Sequence, residues 1–160
     1  MGIKVKGINQ LNSYLQRYRQ IVYEELIRSL SYLGEQCVKK ARDRAEEDSW
    51  FDHTGNLRSS VGYAVYEMGK KKIESAFPVI KQGGEGADEG KKMVDELARL
   101  YSKTYTLVVV AAMSYAEYVE SMDNKDVLAS TELWASSQID AYMSRTKQRV
   151  EQRVAIELKF

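Results

Sequence analysis

WFDHTGNLRSSVGYAVYE, residues Trp50 to Glu67, is the stretch at which the chain changes period. Before it, apolar residues recur every three or four positions. From Leu57 they alternate: Leu57, Val61, Tyr63 and Val65 share one face of an extended strand, with Arg58, Ser60 and Tyr66 on the other. Asp52-His53-Thr54-Gly55-Asn56 reads as the turn between the two regimes. Gly55 accepts a positive φ at no Cβ cost, and Asp52 or Asn56 can hydrogen-bond nearby backbone. A helix leading into strands sets the expected fold class, α+β.

Upstream, Ile8, Leu11, Leu15, Tyr18, Val22, Leu26, Leu30, Leu33, Cys37 and Ala41 make one stripe on a long helix, expected over residues 8–47. The stripe suits a helix laid across a sheet and is also long enough for coiled-coil pairing. Lys4 to Gly7 is too short to assign. Gly34 interrupts the helix, where it bends the axis or permits close packing. Trp50 and Phe51 either close the core or face a partner.

Downstream, Met68-Gly69-Lys70-Lys71 reads as a hairpin turn and Lys72 to Phe77 as a second strand, ended by Pro78. Lys81 to Gly90, with four glycines in ten residues, is expected to be a mobile loop. A short helix follows from Lys91 to Ser102. Thr104 to Met113 is β-branched and apolar on both sides, which predicts a central strand covered on one face by the long helix. The other face needs the C-terminal helix or a neighbouring subunit. Asp123-Asn124 reads as a turn and Asp126 to Ala129 as a short strand. Ser130 or Thr131 then caps a final helix over 131–158, striped by Ala135, Ile139, Tyr142, Thr146, Val150, Val154 and Leu158. The expectation is one domain over residues 1–160. It holds an antiparallel sheet of about four strands between residues 56 and 130, packed against the long N-terminal helix. The segment at 80–102 is its flexible loop and short helix, and the C-terminal helix is amphipathic.

Composition excludes several function classes. With 24 basic and 23 acidic residues the net charge is +1, so no overall field draws nucleic acid or an anionic membrane. One cysteine, Cys37, excludes an intramolecular disulfide, and one histidine, His53, excludes a multi-histidine metal site. The apolar run from Leu107 to Met113 falls far short of the roughly 20 residues of a membrane span, and MGIKVKGINQ has no signal-peptide core. These features place the chain in a reducing cytoplasm or in a particle built there. Gly86 to Lys91 lacks the spacing of a P-loop, and Asp52-His53 with Ser59 and Ser60 lacks a nucleophile elbow. Glu46, Asp48 and Asp52 fit no calcium loop. No catalytic residue, cofactor or metal is expected. Arg42, Arg44, Arg58, Lys70, Lys71 and Lys72 keep a small nucleic-acid-binding module open as the alternative, with tyrosines available for stacking.

Thr54-Gly55-Asn56-Leu57-Arg58-Ser59-Ser60-Val61 resembles the Thr-Gly-x-Leu-Arg-x-Ser-Ile motif of bacteriophage tail completion proteins, also described as head–tail joining or tail component proteins. Tyr115-Ala116-Glu117-Tyr118-Val119-Glu120 resembles the start of a second motif of that family. Ser121-Met122-Asp123 then stands where the family has aromatic-Gly-Thr. The resemblance spans roughly Leu11 to Ser130. It implies a virion protein made in the bacterial host cytoplasm that assembles as a homo-oligomeric ring, a hexamer, between the neck or connector proteins and the tail tube. It implies no enzyme activity, no membrane and no nucleic-acid partner. Trp50, His53, Thr54, Gly55, Asn56, Arg58, Tyr115, Tyr118 and Glu120 are the candidate assembly contacts.

Overall fold

The long apolar stripe folds as α1, Ile8–Arg42, in a computed structural model that describes residues 7–45, 47, 49–101, 103–122 and 125–158. After it come α2 (Asn56–Ser59), β1 (Val61–Glu67), β2 (Lys70–Glu74), α3 (Gly84–Leu97), β3 (Tyr105–Ala111), α4 (Ala116–Glu120) and α5 (Ala129–Glu157). The fold is α+β. The described residues divide into two compact units, one from residues up to Ser29 together with those from Asp140 onward, the other Leu30–Ile139.

In the Leu30–Ile139 unit three antiparallel strands lie in the order β2-β1-β3. Met68 and Gly69, both at positive φ, close the β1–β2 hairpin as a two-residue turn whose twist matches that of its strands. β2 therefore starts at Lys70, earlier than the spacing suggests. A register shift opposite Val65 and Tyr66 then bends its pairing. β1 is the central strand, buried along almost its whole length, and the more apolar β3 is an edge. On one face Ala64, Tyr66, Phe77, Val108 and Val110 pack with Ala87 and Val94 of α3. On the other face the second half of α1 crosses β1. A Cβ on Gly34 would meet the Tyr63 ring at 2.4 Å, and the Tyr63 hydroxyl donates to Glu35 Oε1 at 2.9 Å.

Several expectations are corrected here. The sheet has three strands instead of about four among the described residues, because Asp126 to Ala129 is the approach to α5. Glu120 accepts from the Val127, Leu128 and Ala129 amides at 3.0, 2.7 and 3.1 Å, which takes those three from a ladder. Leu57 to Ser59 is helical, so the strand begins at Val61. The glycine-rich segment is the start of α3, not a mobile loop. Its glycines bring the helix against its neighbours: a Cβ on Gly86 would lie 1.9 Å from Asn56 O, and one on Gly90 2.4 Å from the Phe77 ring. That helix, not α5, covers the second face of the sheet. α1 stops at Arg42. The turn assigned to Asp123-Asn124 lies outside the described residues.

The other unit is a helix pair, the first part of α1 with the last part of α5. Ile21, Ile27 and Tyr142 supply its buried apolar contacts, and Glu25, Ser29 and Thr146 are buried polar groups between them. Arg149 pairs with Glu25 at 2.8 Å, and Arg153 reaches Glu24, Glu25 and Glu157 at 2.8, 3.2 and 2.8 Å. Tyr142, Thr146, Val150 and Val154 face inward, as their spacing implies.

Candidate functional site

α1 ends with carbonyls that no helical turn satisfies, and Arg58 meets them. Its guanidinium, 7% exposed, donates to Arg42 O, to Arg44 O at 2.9 Å, to Ser49 Oγ at 3.0 Å and to Trp50 O at 3.2 Å. It also lies over the Trp50 ring, 4.6 Å from the centroid. Asp52 holds the next corner. Its carboxylate accepts from the Gly55 and Arg58 amides at 2.9 and 2.8 Å, which fixes the first turn of α2. Gly55 sits at φ 81°, and a Cβ there would fall 2.0 Å from Ile80 O. No other residue fits this position.

The remaining residues of the stretch tie α2 to its surroundings. Thr54 Oγ1 accepts the Asn56 amide at 3.2 Å, and Asn56 donates to Glu85 at 3.0 Å and accepts from Gly86 at 3.3 Å. Ser59 Oγ accepts the Ile80 amide at 2.8 Å, and Ser60 Oγ accepts the Ala112 amide at 3.0 Å. The second stretch folds against the first. Ala116 and Val119 join Trp50, Leu57 and Val127 in one apolar cluster. Tyr115 precedes α4, its phenol pKa raised by burial and then by the Asp52 and Glu85 carboxylates. Arg44 closes the corner from α1, bonding Asp126 O at 3.1 Å and Ser130 Oγ at 2.9 Å.

The structure thus brings the nine candidate residues into one region and sorts them. Trp50 and Arg58 are interior, Gly55 is buried, Asn56 is half-buried and bound to Glu85 and Gly86, and Glu120 is committed to the start of α5. His53, Thr54, Tyr115 and Tyr118 reach solvent, Tyr118 at 66% exposure and Tyr115 at 38%. Two further surface residues stand beside those nine. Phe51, 59% exposed, stacks edge-on with His53 at 4.4 Å. Lys81 donates to Asp52 O at 2.6 Å and lies 5.2 Å from the Phe51 ring. Of the adjacent aromatics, Trp50 points inward and Phe51 outward. Their order in the sequence gives no sign of it, because the chain here has neither helical nor strand period.

Of the six basic residues that suggest nucleic-acid contact, five are interior or lie beside a carboxylate, and Lys70 is exposed at the start of β2. Arg58 is interior, Arg42 lies 3.3 Å from Asp43, Arg44 is paired with Asp126, Lys71 lies 2.5 Å from Asp95, and Lys72 lies 2.8 Å from Glu67. Burial pushes the Cys37 thiol up to about 11, so it is a neutral packing group at neutral pH. Among the described residues no group of three or more His, Cys, Asp or Glu side chains is placed to hold a metal ion; Glu46 and Asp48 lie outside those residues. No helix among the described residues is long and apolar enough to cross a membrane. No protein-family model matches the chain, and no curated protein or solved structure matches it either.

Proposed function

We propose that this chain is a structural virion protein of a tailed phage or prophage. It completes the head-proximal end of the tail and joins it to the connector by assembling as a homo-oligomeric ring, a hexamer. The observation that carries this reading is the convergence of the two stretches that resemble tail completion proteins. They build one rigid corner whose interior residues hold α1, α2, α4 and α5 in place, and whose rim presents Phe51, His53, Tyr115 and Tyr118 to solvent. Exposed aromatic side chains on a rigid support are what a protein-binding surface needs, since their contact area is large and little entropy is lost in fixing them. The exposed apolar stripe of α1 at Ile8, Leu11, Leu15 and Tyr18 also favours a chain that works in an assembly. Its mechanism is surface complementarity without catalysis, its partners are further copies, the neck or connector proteins and the tail tube, and its site is the virion after synthesis in the host cytoplasm.

The test is genetic. Deleting the gene from the phage or prophage that encodes it should leave filled heads and free tails that do not join, and supplying the chain in trans should restore whole particles. Normal particles from the deletion would overturn the reading.

A further inference from the structure

The two edges of the sheet are treated differently. β2 carries Lys70, Lys71 and Lys72, charged side chains of the kind that keep an edge from pairing with another chain. A register shift also interrupts its pairing with β1. β3, YTLVVVA, carries no charge along its seven residues. Its hydrogen-bond phase follows from the Met68 amide donating to Thr104 O at 3.1 Å and the Ala112 amide to Ser60 Oγ at 3.0 Å, in the register Val61 to Ala111 through Glu67 to Tyr105. That phase turns the amides and carbonyls of Thr106, Val108 and Val110 toward β1. Those of Leu107, Val109 and Ala111 point away from the sheet, and no hydrogen bond among the described residues engages them. Val108 and Val110 pack toward α3. Leu107 and Val109 line an open groove of about 590 Å³ on the opposite face, with Leu30 and Leu33 of α1 and Ile139 of α5 along its walls. Strand, groove and walls all belong to the Leu30–Ile139 unit.

Outward main-chain donors and acceptors beside an apolar groove fit an added strand, and that strand must itself offer an uncharged edge. Among the described strands β3 alone meets the condition, since β1 is central and β2 is lysine-rich. The edge is also its own complement. In an antiparallel pair, two residues that point outward face each other and exchange both hydrogen bonds. An edge set against itself about a two-fold axis therefore matches each donor with an acceptor. We propose that β3 pairs with β3 of a second copy, antiparallel, so that the two three-stranded sheets become one. The register that overlaps all seven residues puts the axis at Val108. Leu107 then bonds Val109 of the second copy, Val109 bonds its Leu107, and these side chains stand next to one another on the groove face. The contact is isologous and closes at two copies. It does not rest on the tail-joining role and uses no residue of the aromatic rim.

Cysteine linkage in the full chain tests the register. At the axis Val108 faces its own counterpart as a non-hydrogen-bonded pair, with Cα atoms about 4.5 Å apart, within disulfide reach. Val108→Cys should link into dimers and nothing larger on mild oxidation. Thr106 stands roughly 13 Å from its counterpart in this register, so Thr106→Cys should link at least about tenfold more slowly. The unmodified chain, whose one cysteine is the buried Cys37, should stay unlinked. In that chain the Leu107 and Val109 amides should exchange at least about tenfold more slowly at high concentration than at low, while the Val108 amide, already bonded to β1, should not change. Val109→Lys gives this edge the kind of charge that β2 carries. It should halve the mass seen by light scattering, toward the 18.3 kDa of one copy where the unmodified chain forms simple pairs, with an unchanged circular dichroism spectrum. Equal linkage rates at positions 106 and 108, amide exchange that ignores concentration, or a folded Val109→Lys of unchanged mass would each overturn the pairing. Dimers linked through Val108→Cys, from a phage whose particles join normally without the chain, would support the pairing and remove the tail-joining role.

Discussion

Arg58→Ala removes a buried guanidinium from three carbonyls and the Ser49 hydroxyl, and leaves the Trp50 ring without its cation. Buried acceptors deprived of a donor each carry a desolvation cost, so the expected loss is about 3 kcal/mol of folding stability in a urea titration. Arg58→Lys should recover only part of it, because one ammonium cannot span the same fork of acceptors. A loss below about 0.5 kcal/mol, the usual range of a surface change, would show that the corner does not depend on this residue. Tyr118→Glu should behave oppositely: at 66% exposure it should leave stability nearly unchanged and impair joining of heads to tails. The sequence places both residues inside one resemblance without separating them. Leu57 and Arg58 fit a strand's alternation as well as the short helix they form. The difference lies in Asp52, whose carboxylate captures the Gly55 and Arg58 amides and so starts a helical turn before the strand.

At the scale of elements, α1 and β1 were readable because one periodic pattern runs through each. α3 is legible only from Lys91 onward, because the glycine-rich composition of its first half normally signals disorder. Gly86 and Gly90 instead meet backbone and an aromatic ring at distances no Cβ tolerates, and Ala87, Gly90, Val94 and Leu97 carry the helical spacing that marks the segment. Gly86→Ala should therefore cost about 2–3 kcal/mol by overpacking, although alanine is the better helix former. Gly84→Ala, with nothing within 4 Å of the new Cβ, should be neutral or stabilise by up to about 1 kcal/mol. Equal effects of the two on the thermal midpoint would mean that α3 does not pack as described. The expected fourth strand gives way for a similar reason: Asp126 to Ala129 has strand-like residues, but Glu120, seven to nine residues earlier, takes the Val127, Leu128 and Ala129 amides. Glu120→Ala should cost about 1–2 kcal/mol as the loss of a charged cap on α5.

The helix pair adds a pH dependence. Burial opposes the Glu25 charge, but the Arg149 and Arg153 hydrogen bonds outweigh it and lower its pKa. Glu24 is lowered by Gln20 and then Arg153, and Glu157 by Arg153 and then Arg17. A carboxyl whose folded pKa lies below its ordinary 4.5 stabilises the fold above that value and stops doing so as pH falls through the folded pKa. Stability should hold from neutral pH down to about 4.5 and fall below it, with a shallower fall in Glu25→Gln. A melting temperature unchanged down to about pH 3 would contradict the charged seam.

For the whole molecule, the sequence made the α+β class legible and located the corner, but not which of its residues face outward. A β3 edge with no further strand beside it among the described residues, an apolar groove, an exposed aromatic rim and an exposed stripe on α1 are features that association would cover. Size-exclusion light scattering across a concentration series, with negative-stain images of the largest species, tests that most directly. Ring assembly predicts closed rings of a single stoichiometry whose population grows with concentration. A chain that remains strictly one copy at every concentration, or that forms only open filaments, would contradict it.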